Sequence, residues 1–563
     1  MPEDTPRATT RLPSFAQLVA ARAGDDHPAI LFEDDTITYR AFVAEAAARA
    51  ALLRHARRDG PFHVGVLLEN VPEYLYWIGA AALAGAAVVG INPTRRGAEL
   101  AHDVRHTDCQ LVVTDRDGAG LLAGLDLGIP GESMLTIGTS AYDERVGAYA
   151  GAAVPEELPP PDTRLLLLFT SGSTSAPKAV VCSSGRLAGA GMTTIKMFDV
   201  DRDSVLYESM PLFHGNALMA NVTTALTAGA TIALRRRFSA SGFLPDVRRY
   251  GATYFNYVGR ALSYILAVPE TPGDADNRLE VGFGTEASAL DRQRFEARFG
   301  CRLIENYGSS EGVIAIVRLP GCPEQALGKP RPGEAADVAV MDPASGKECA
   351  PAVFDEHGRL VNGDEAIGEL VRRDAGARFE GYYNNDEATS ERLRDGWYWS
   401  GDLAYRDADG WFYFAGRSSD RLRVDSENFA AAPIEGILAR QPGVVMVAVY
   451  PVPDARTGDQ VMAALELAPG AEFDPVAFAE FLAAQPDLGT KWAPRYVRIV
   501  EHMPLTANNK VNKQPLRAER WETREPVWWR REKGGPYVRL TAADRHALRA
   551  EFETHGRAHV LDA

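Results

Sequence analysis

Cysteine is scarce in this chain: five in 563 residues, at positions 109, 182, 301, 322 and 349, with no C-x-x-C pair. Such spacing excludes a disulfide framework and a zinc-ligand set, and it suits reduced thiols in a cytoplasm. Cys182 reads as a small buried strand residue rather than a nucleophile. Positive charge is in deficit, with 60 Lys and Arg against 76 Asp and Glu and a net charge of −16. That balance argues against general affinity for nucleic acid or anionic lipid, so an anionic ligand must be held by a local cluster of donors. The opening MPEDTPRATTRLPS has no apolar core of a signal peptide, which makes a cytoplasmic location the expectation. Long apolar runs are missing as well. The uncharged stretch Tyr74 to Ile91 is rich in Ala and Gly and divides at Gly85 into a helix over 72–84 and a strand over 86–91. It reads as core, and no integral membrane span is expected.

A chain this long folds as a multi-lobed body, because single cores stop growing near roughly 250–300 residues. The first third alternates helix and strand. Thr38 caps a predicted helix through about Arg54, with Phe42, Ala46, Ala50 and Leu53 on one face. Strands follow at 63–68 and 110–114, with a helix over 96–106 between them. This alternation predicts an α/β fold with a mostly parallel sheet covered by helices. Beyond residue 340 strand-like runs and turns dominate, including Asp409-Gly410 between Tyr405 and Phe412. A compact unit begins near Arg417, with strands near 444–450, 462–467 and 496–500 and a helix near 475–484. The tail after 525 carries Trp528, Trp529 and Tyr537, enough aromatic surface to pack.

Residues 165–184, LLLLFTSGSTSAPKAVVCSS, say most about chemistry. An apolar run ending at Phe169 opens into Thr170-Ser171-Gly172-Ser173-Thr174-Ser175-Ala176-Pro177-Lys178, and a second apolar run follows. Backbone N–H groups and hydroxyls in such a loop donate hydrogen bonds to a polyphosphate, and the lysine offsets its charge. The Walker A spacing is absent, and no long helical pattern follows the lysine.

The loop resembles the phosphate-binding signature of the adenylate-forming superfamily, which includes acyl-CoA synthetases, luciferases and peptide-synthetase adenylation domains. Five more motifs stand in that superfamily's order. They are Pro211-Leu212-Phe213-His214-Gly215, Tyr307-Gly308-Ser309-Ser310-Glu311-Gly312, Ser400-Gly401-Asp402-Leu403, Ala415-Gly416-Arg417, and Pro504-Leu505-Thr506-Ala507-Asn508-Asn509-Lys510. The resemblance implies ATP, Mg²⁺ and coenzyme A as reactants and cofactors. It places Thr170, Ser171, Gly172, Ser173, Thr174 and Lys178 on the phosphates, Tyr307 and Gly308 by the adenine, and Ser310 on the α-phosphate. Glu286 is a further nucleotide contact, Glu311 the magnesium ligand, and Asp402 and Arg417 the ribose contacts. Lys510 falls at the catalytic position with Glu311 and His214, and His214, Asn256, Tyr257, Gly259, Phe283 and Gly284 surround a small-molecule acid. A lysine over the reacting oxygens would stabilise charge developing at the α-phosphorus.

The implied architecture is a large α/β domain with a β-barrel-like subdomain over 1–416 and a small mobile α+β lid over 417–525. An extension over 526–563 packs on the body, and the whole is expected as a monomer or homodimer. Tyr254–Arg260, Glu305–Gly312, Pro486–Gly489 and the aromatic tail look like the fatty-acid-transport-protein and very-long-chain acyl-CoA synthetase branch. The implied reaction is carboxylate attack on ATP, giving an acyl-adenylate and pyrophosphate, followed by transfer to coenzyme A. The chain departs from the family pattern at Ser175, Ala179, Asn509 and Asp425-Ser426. Those departures keep open a second step that does not use coenzyme A, such as an ATP-dependent diazotase acting on nitrite and an aryl amine, or an amide-forming ligase.

Overall fold

The computed structural model describes residues 12–170, 178–331, 334–375, 378–417, 421–424, 427–456, 458–489, 491–506, 510–532 and 534–561. Apolar runs of four to six residues become the buried strands of two mixed sheets, as continuous hydrophobic strands do when both faces are covered. In one sheet the order is Met134–Thr136, Cys109–Thr114, His63–Leu67, Ala87–Gly90, Arg164–Phe169, with Ala179–Ser183 antiparallel at the edge. In the other, Arg302–Tyr307, Val281–Thr285, Tyr254–Val258, Val205–Glu208, Thr231–Leu234 and Pro28–Phe32 run parallel, and short antiparallel strands close both edges.

The helices follow the sequence pattern. Tyr39–Ala56 starts at Thr38, whose Oγ1 accepts from the N–H of Ala41 at 3.2 Å, and Phe42, Ala46, Ala50 and Leu53 are buried. Pro72–Ala84 stops at Gly85, which adopts φ 74°, and the chain continues as the strand Ala87–Gly90. The uncharged stretch is therefore two core elements. Among the described residues no helix is long and apolar enough to cross a membrane.

Antiparallel strands Val338–Met341, Gly368–Arg373, Leu393–Arg394, Trp397–Arg406 and Phe412–Arg417 form a third, half-barrel sheet. A hairpin of Arg421–Val424 and Glu427–Ala430 leads to the last sheet, ordered Val444–Pro453, Asp459–Leu467, Tyr496–Val500, Val527–Arg530, Tyr537–Arg539. The tail expected as a separate extension from 526 thus supplies two strands of this sheet. Its aromatics explain why: Tyr496 stacks between Trp521 (5.3 Å) and Trp529 (6.0 Å), and Phe552 lies 5.9 Å from Trp521. Such ring contacts bury large apolar areas and add to the packing of the sheet.

Candidate active site

Four parallel strands end at the same opening, and each feeds a loop carrying a predicted residue. Arg164–Phe169 leads to Thr170, Val205–Glu208 to the segment around His214, Val281–Thr285 to Glu286, and Arg302–Tyr307 to Gly308–Glu311. Ligands of open α/β sheets bind beyond the carboxyl ends of the strands for this reason. The loops surround a cavity of about 1510 Å³ lined by Thr170, Lys178, His214, Glu286, Tyr307, Gly308, Ser310, Glu311, Asp402 and Lys510. That volume exceeds the roughly 300–1,000 Å³ of a pocket for one small ligand, leaving room for a nucleotide and a second reactant. Ser171, Gly172, Ser173 and Thr174 lie outside the described residues, as does the side chain of Arg417. The backbone of Arg417 is paired with that of Asp402 across the antiparallel strands.

Tyr307 and Asp402 meet directly: the phenol donates to Asp402 Oδ2 at 2.6 Å. The N–H of Asp402 is taken by Ser400 Oγ at 3.1 Å, and the N–H of Gly401 by Glu369 Oε1 at 2.6 Å. Gly401 has φ 76°, and a Cβ there would sit 2.4 Å from Arg392 Nη1. The left-handed backbone favours glycine at this point, and a side chain there would push the Arg392 guanidinium aside.

Glu311 is buried, and one of its oxygens accepts from the Tyr382 hydroxyl at 2.7 Å. Among the described residues no group of three or more metal-ligating side chains occurs. A single carboxylate beside a phosphate-sized opening still fits Mg²⁺, which takes one or two carboxylates and completes its octahedron with substrate phosphates and water. Lys178 points over the same tyrosine, its Nζ 5.3 Å from the Tyr382 ring centroid and 3.7 Å from Glu391. The Lys178 carbonyl accepts from the Thr170 N–H at 3.0 Å, closing the mouth of the phosphate loop. Ala179, one of the departures from the family pattern, lies in the strand Ala179–Ser183 opposite Phe169, where extended backbone needs no glycine. Ser175, Asp425, Ser426 and Asn509 lie outside the described residues.

Lys510 enters the cavity from the C-terminal unit. Its loop is closed by a bridge between Leu505 and Val511 and by the Thr506 N–H donating to the Lys510 carbonyl at 2.7 Å. Its ammonium donates to Glu286 Oε1 at 2.6 Å. His214 precedes the short helix Gly215–Ala217, and its Nε2 is buried without a hydrogen-bond partner among the described residues. Burial, helped by the charge of Lys510, pushes the imidazole pKa down to about 3, so His214 is neutral. Its segment closes on Gly90, where a Cβ would lie 2.9 Å from the Phe213 carbonyl oxygen.

The profile of the AMP-binding enzyme family matches residues 17–383, and that of the AMP-binding enzyme C-terminal domain matches 433–510. This chain belongs to the AMP-binding enzyme family. A steroid-22-oyl-CoA synthetase of Rhodococcus jostii is 52% identical to it, over 97% of this chain and 99% of the relative. A medium/long-chain-fatty-acid–CoA ligase of Mycobacterium tuberculosis is 44% identical over 92% of this chain and 98% of its own. ATP-bound MatB from Rhodopseudomonas palustris superposes with a TM-score of 0.75 at 24% identity, covering 89% of this chain and 98% of that one. An anthranilate CoA ligase bound to anthranoyl-AMP gives 0.78 at 19% identity, covering 90% and 97%. The structural matches bear on the fold alone. With the family profile and the sequence relatives together, this AMP-binding enzyme is an AMP-forming acyl-CoA ligase that uses ATP and coenzyme A. The diazotase and amide-forming alternatives are not favoured by these relatives.

Not every predicted residue of this AMP-binding enzyme reaches the cavity. Asn256, Tyr257, Phe283 and Gly284 lie outside its lining, and Gly259 is not among the residues whose side-chain surroundings are described. The first four pack among neighbouring side chains instead. Asn256 donates to Asn216 Oδ1 at 2.9 Å, and the Tyr257 hydroxyl donates to Glu305 Oε1 at 3.0 Å. The Tyr257 ring covers Gly284, and Phe283 packs on Phe198 at 4.8 Å. Gly259 opens the helix Gly259–Ala267. Conversely, Tyr382 and Arg392 line the cavity from outside the motifs, and Glu305 lines it from the first position of the Glu305–Gly312 segment. Glu305 also accepts from the Ala287 N–H at 3.0 Å, tying down the turn after Glu286.

Proposed function

We propose that this enzyme activates a bulky, mostly apolar carboxylic acid, a steroid bearing a side-chain carboxyl, as its acyl-adenylate and passes the acyl group to coenzyme A. The observation that carries the substrate class is the 52% identity, over nearly the full length of both chains, to a steroid-22-oyl-CoA synthetase. The relatives at 44% identity favour medium- and long-chain fatty acids as a second class. On this reading residues 1–416 form the adenylating domain and 417–525 a lid, with the tail serving the lid.

The cavity supports the following residue roles. The loop from Thr170 to Lys178 cradles the phosphates, Asp402 and Arg417 hold the ribose, and Tyr307 flanks the base. Ser310 contacts the α-phosphate, and Glu311 would hold Mg²⁺, which neutralises triphosphate charge when bound. Lys510 leaves Glu286 to stabilise the negative charge that builds as the acid's oxygen attacks the α-phosphorus and pyrophosphate departs. Neutral His214 stands where an uncharged wall beside the acyl carbon is needed, since a cation there would hold the carboxylate in its ground state. A cytoplasmic monomer or homodimer is the proposed setting, to be checked by light scattering after gel filtration.

The test is a panel of steroid side-chain, fatty and aryl acids, with AMP release and coenzyme A consumption measured in parallel. The highest kcat/KM is expected for steroid acids, with AMP and thioester formed one to one. A clear preference for fatty acids would replace the substrate class, and AMP release without thioester would remove the coenzyme A step.

A further inference from the structure

Tyr382 touches two of the motifs without belonging to either. Its hydroxyl donates to Glu311 Oε1 at 2.7 Å, and the Lys178 ammonium stands over its ring at 5.3 Å from the centroid. The side chain is buried, with Phe379 edge-on at 5.3 Å and the Arg392 guanidinium as its neighbouring cation. Its backbone is registered against the strand that follows the phosphate loop. Val181 N–H donates to the Gly381 carbonyl at 3.1 Å, Tyr383 N–H to the Ala179 carbonyl at 2.8 Å, and Tyr382 N–H to Thr389 Oγ1 at 3.0 Å. One rigid residue therefore joins the end of the phosphate loop to the turn that carries the acidic motif.

We propose that Tyr382 is the positioning residue of the nucleotide site, its hydroxyl aligning the Glu311 carboxylate for the divalent cation and its ring setting the Lys178 ammonium over the phosphates. This rests on the roles given above to Glu311 and Lys178. The physical case has three parts. A carboxylate that ligates a metal with one oxygen must have its plane fixed, and outer-shell hydrogen bonds do this. The Arg392 guanidinium has donors only, so it cannot compete with Glu311 for the phenol hydrogen. On the other face, an ammonium over an aromatic ring is attracted to it, which favours one lysine rotamer. Gly401 completes the arrangement, since any side chain there would displace Arg392.

Phenylalanine and leucine at 382 separate the two functions, because Phe keeps the ring and loses only the hydroxyl. The measurement is calorimetric titration of the full-length enzyme with α,β-methylene-ATP across a series of Mg²⁺ concentrations and in its absence. Tyr382→Phe is expected to raise the Mg²⁺ concentration for half-maximal analogue binding by about tenfold, the lower end for outer-shell partners, with metal-free binding unchanged. Tyr382→Leu should weaken metal-free binding as well. Glu311→Gln is the control. If its Mg²⁺ profile shifts while that of Tyr382→Phe overlays the wild type, the proposal is overturned alone. If neither shifts, the role of Glu311 and the proposal fall together. Thermal melting of each variant separates these outcomes from misfolding, and a packing-only role for Tyr382 predicts no Mg²⁺ dependence in the Phe variant.

Discussion

Lys510 Nζ and Glu286 Oε1 lie 2.6 Å apart, linking the loop that ends the C-terminal unit's third strand to the turn after Val281–Thr285. Glu286 reaches this position with φ 69°, a left-handed conformation uncommon outside glycine. Both side chains are partly exposed, 29% and 47%, so the pair is worth about 0–1 kcal/mol and is easily exchanged for a phosphate. The contact holds the lysine inside the cavity at little cost to its release.

For Lys510→Ala we expect adenylate formation, followed by pyrophosphate exchange, to fall by about 10²–10³, the range seen when a preorganised oxyanion donor is lost. ATP-analogue binding should change little. Unchanged exchange would mean that another group stabilises the transition state.

Asp402→Asn tests the ribose contact. The substitution leaves the shape intact and removes the charge that Tyr307 and a ribose would share. Hydrogen bonds to charged groups are worth about 1.5–3 kcal/mol, so analogue binding should weaken by roughly ten- to a hundredfold. Tyr307→Phe should cost less, about 0.5–1.5 kcal/mol. Equal, negligible effects in a binding titration would place the ribose elsewhere.

Protonation of His214 opposes folding. Its pKa falls from 6.5 to about 3 on burial. Between those values the unfolded chain binds a proton that the native state refuses, so stability is fully present above pH 6.5 and declines toward pH 3, by about 1.4 kcal/mol per pH unit. His214→Gln should flatten this dependence in denaturant titrations at pH 4.5, 5.5 and 7. No limb of the activity profile near pH 6.5 should belong to His214.

Glu208 has the opposite sign. Its carboxyl is fully buried, accepts from the Met210 N–H at 2.7 Å, and is pushed up to about 8 by desolvation. The native state keeps a proton that the unfolded chain loses above 4.5, so this group favours folding at low pH and its contribution is lost as pH rises from 4.5 to about 8. Glu208→Gln should raise the melting temperature at pH 8 relative to wild type more than it does at pH 5. An equal change at both would show the carboxyl to be ionised throughout.

The aromatic tail is structural. Trp529 is 7% exposed between Tyr496 and the Arg495 guanidinium. Trp529→Ala should cost about 3–5 kcal/mol in the C-terminal unit, read by hydrogen exchange of Tyr496–Val500 and by denaturation followed through tryptophan fluorescence. Protection left intact would mean that the last two strands are dispensable.

Much of the architecture could be read from residue order. Thr38, Pro72 and Gly85 announce helix ends through capping chemistry and backbone preference, which act over three or four residues. The helix at 475–483 and the strand at 496–500 appear where apolar periodicity places them. The tail is instructive in the other direction. Its aromatics promised packing, but whether they covered the body or extended a sheet depended on strand pairing, here of Trp528 with Val497.

The active site divides along the same line. Motif residues were visible because loops that wrap phosphates need glycine, hydroxyls and lysine in short succession, a local demand. Tyr382 was hidden because its partner Glu311 stands 71 residues away along the chain. Asn256 and Gly284 were legible as neighbours of the site, but side-chain packing against Asn216 and Tyr257 turned them away from the cavity.

Residue order alone dictated the helix and strand punctuation, the phosphate loop and the chemical identity of Lys178, Glu311, Asp402 and Lys510, since each depends on neighbours within one turn or loop. Folding in three dimensions decided which of those groups touch, which carboxylate faces Lys510, and which tyrosine holds Glu311. Those contacts join segments tens to hundreds of residues apart, and only the packing of four strand ends around one cavity fixes their distances.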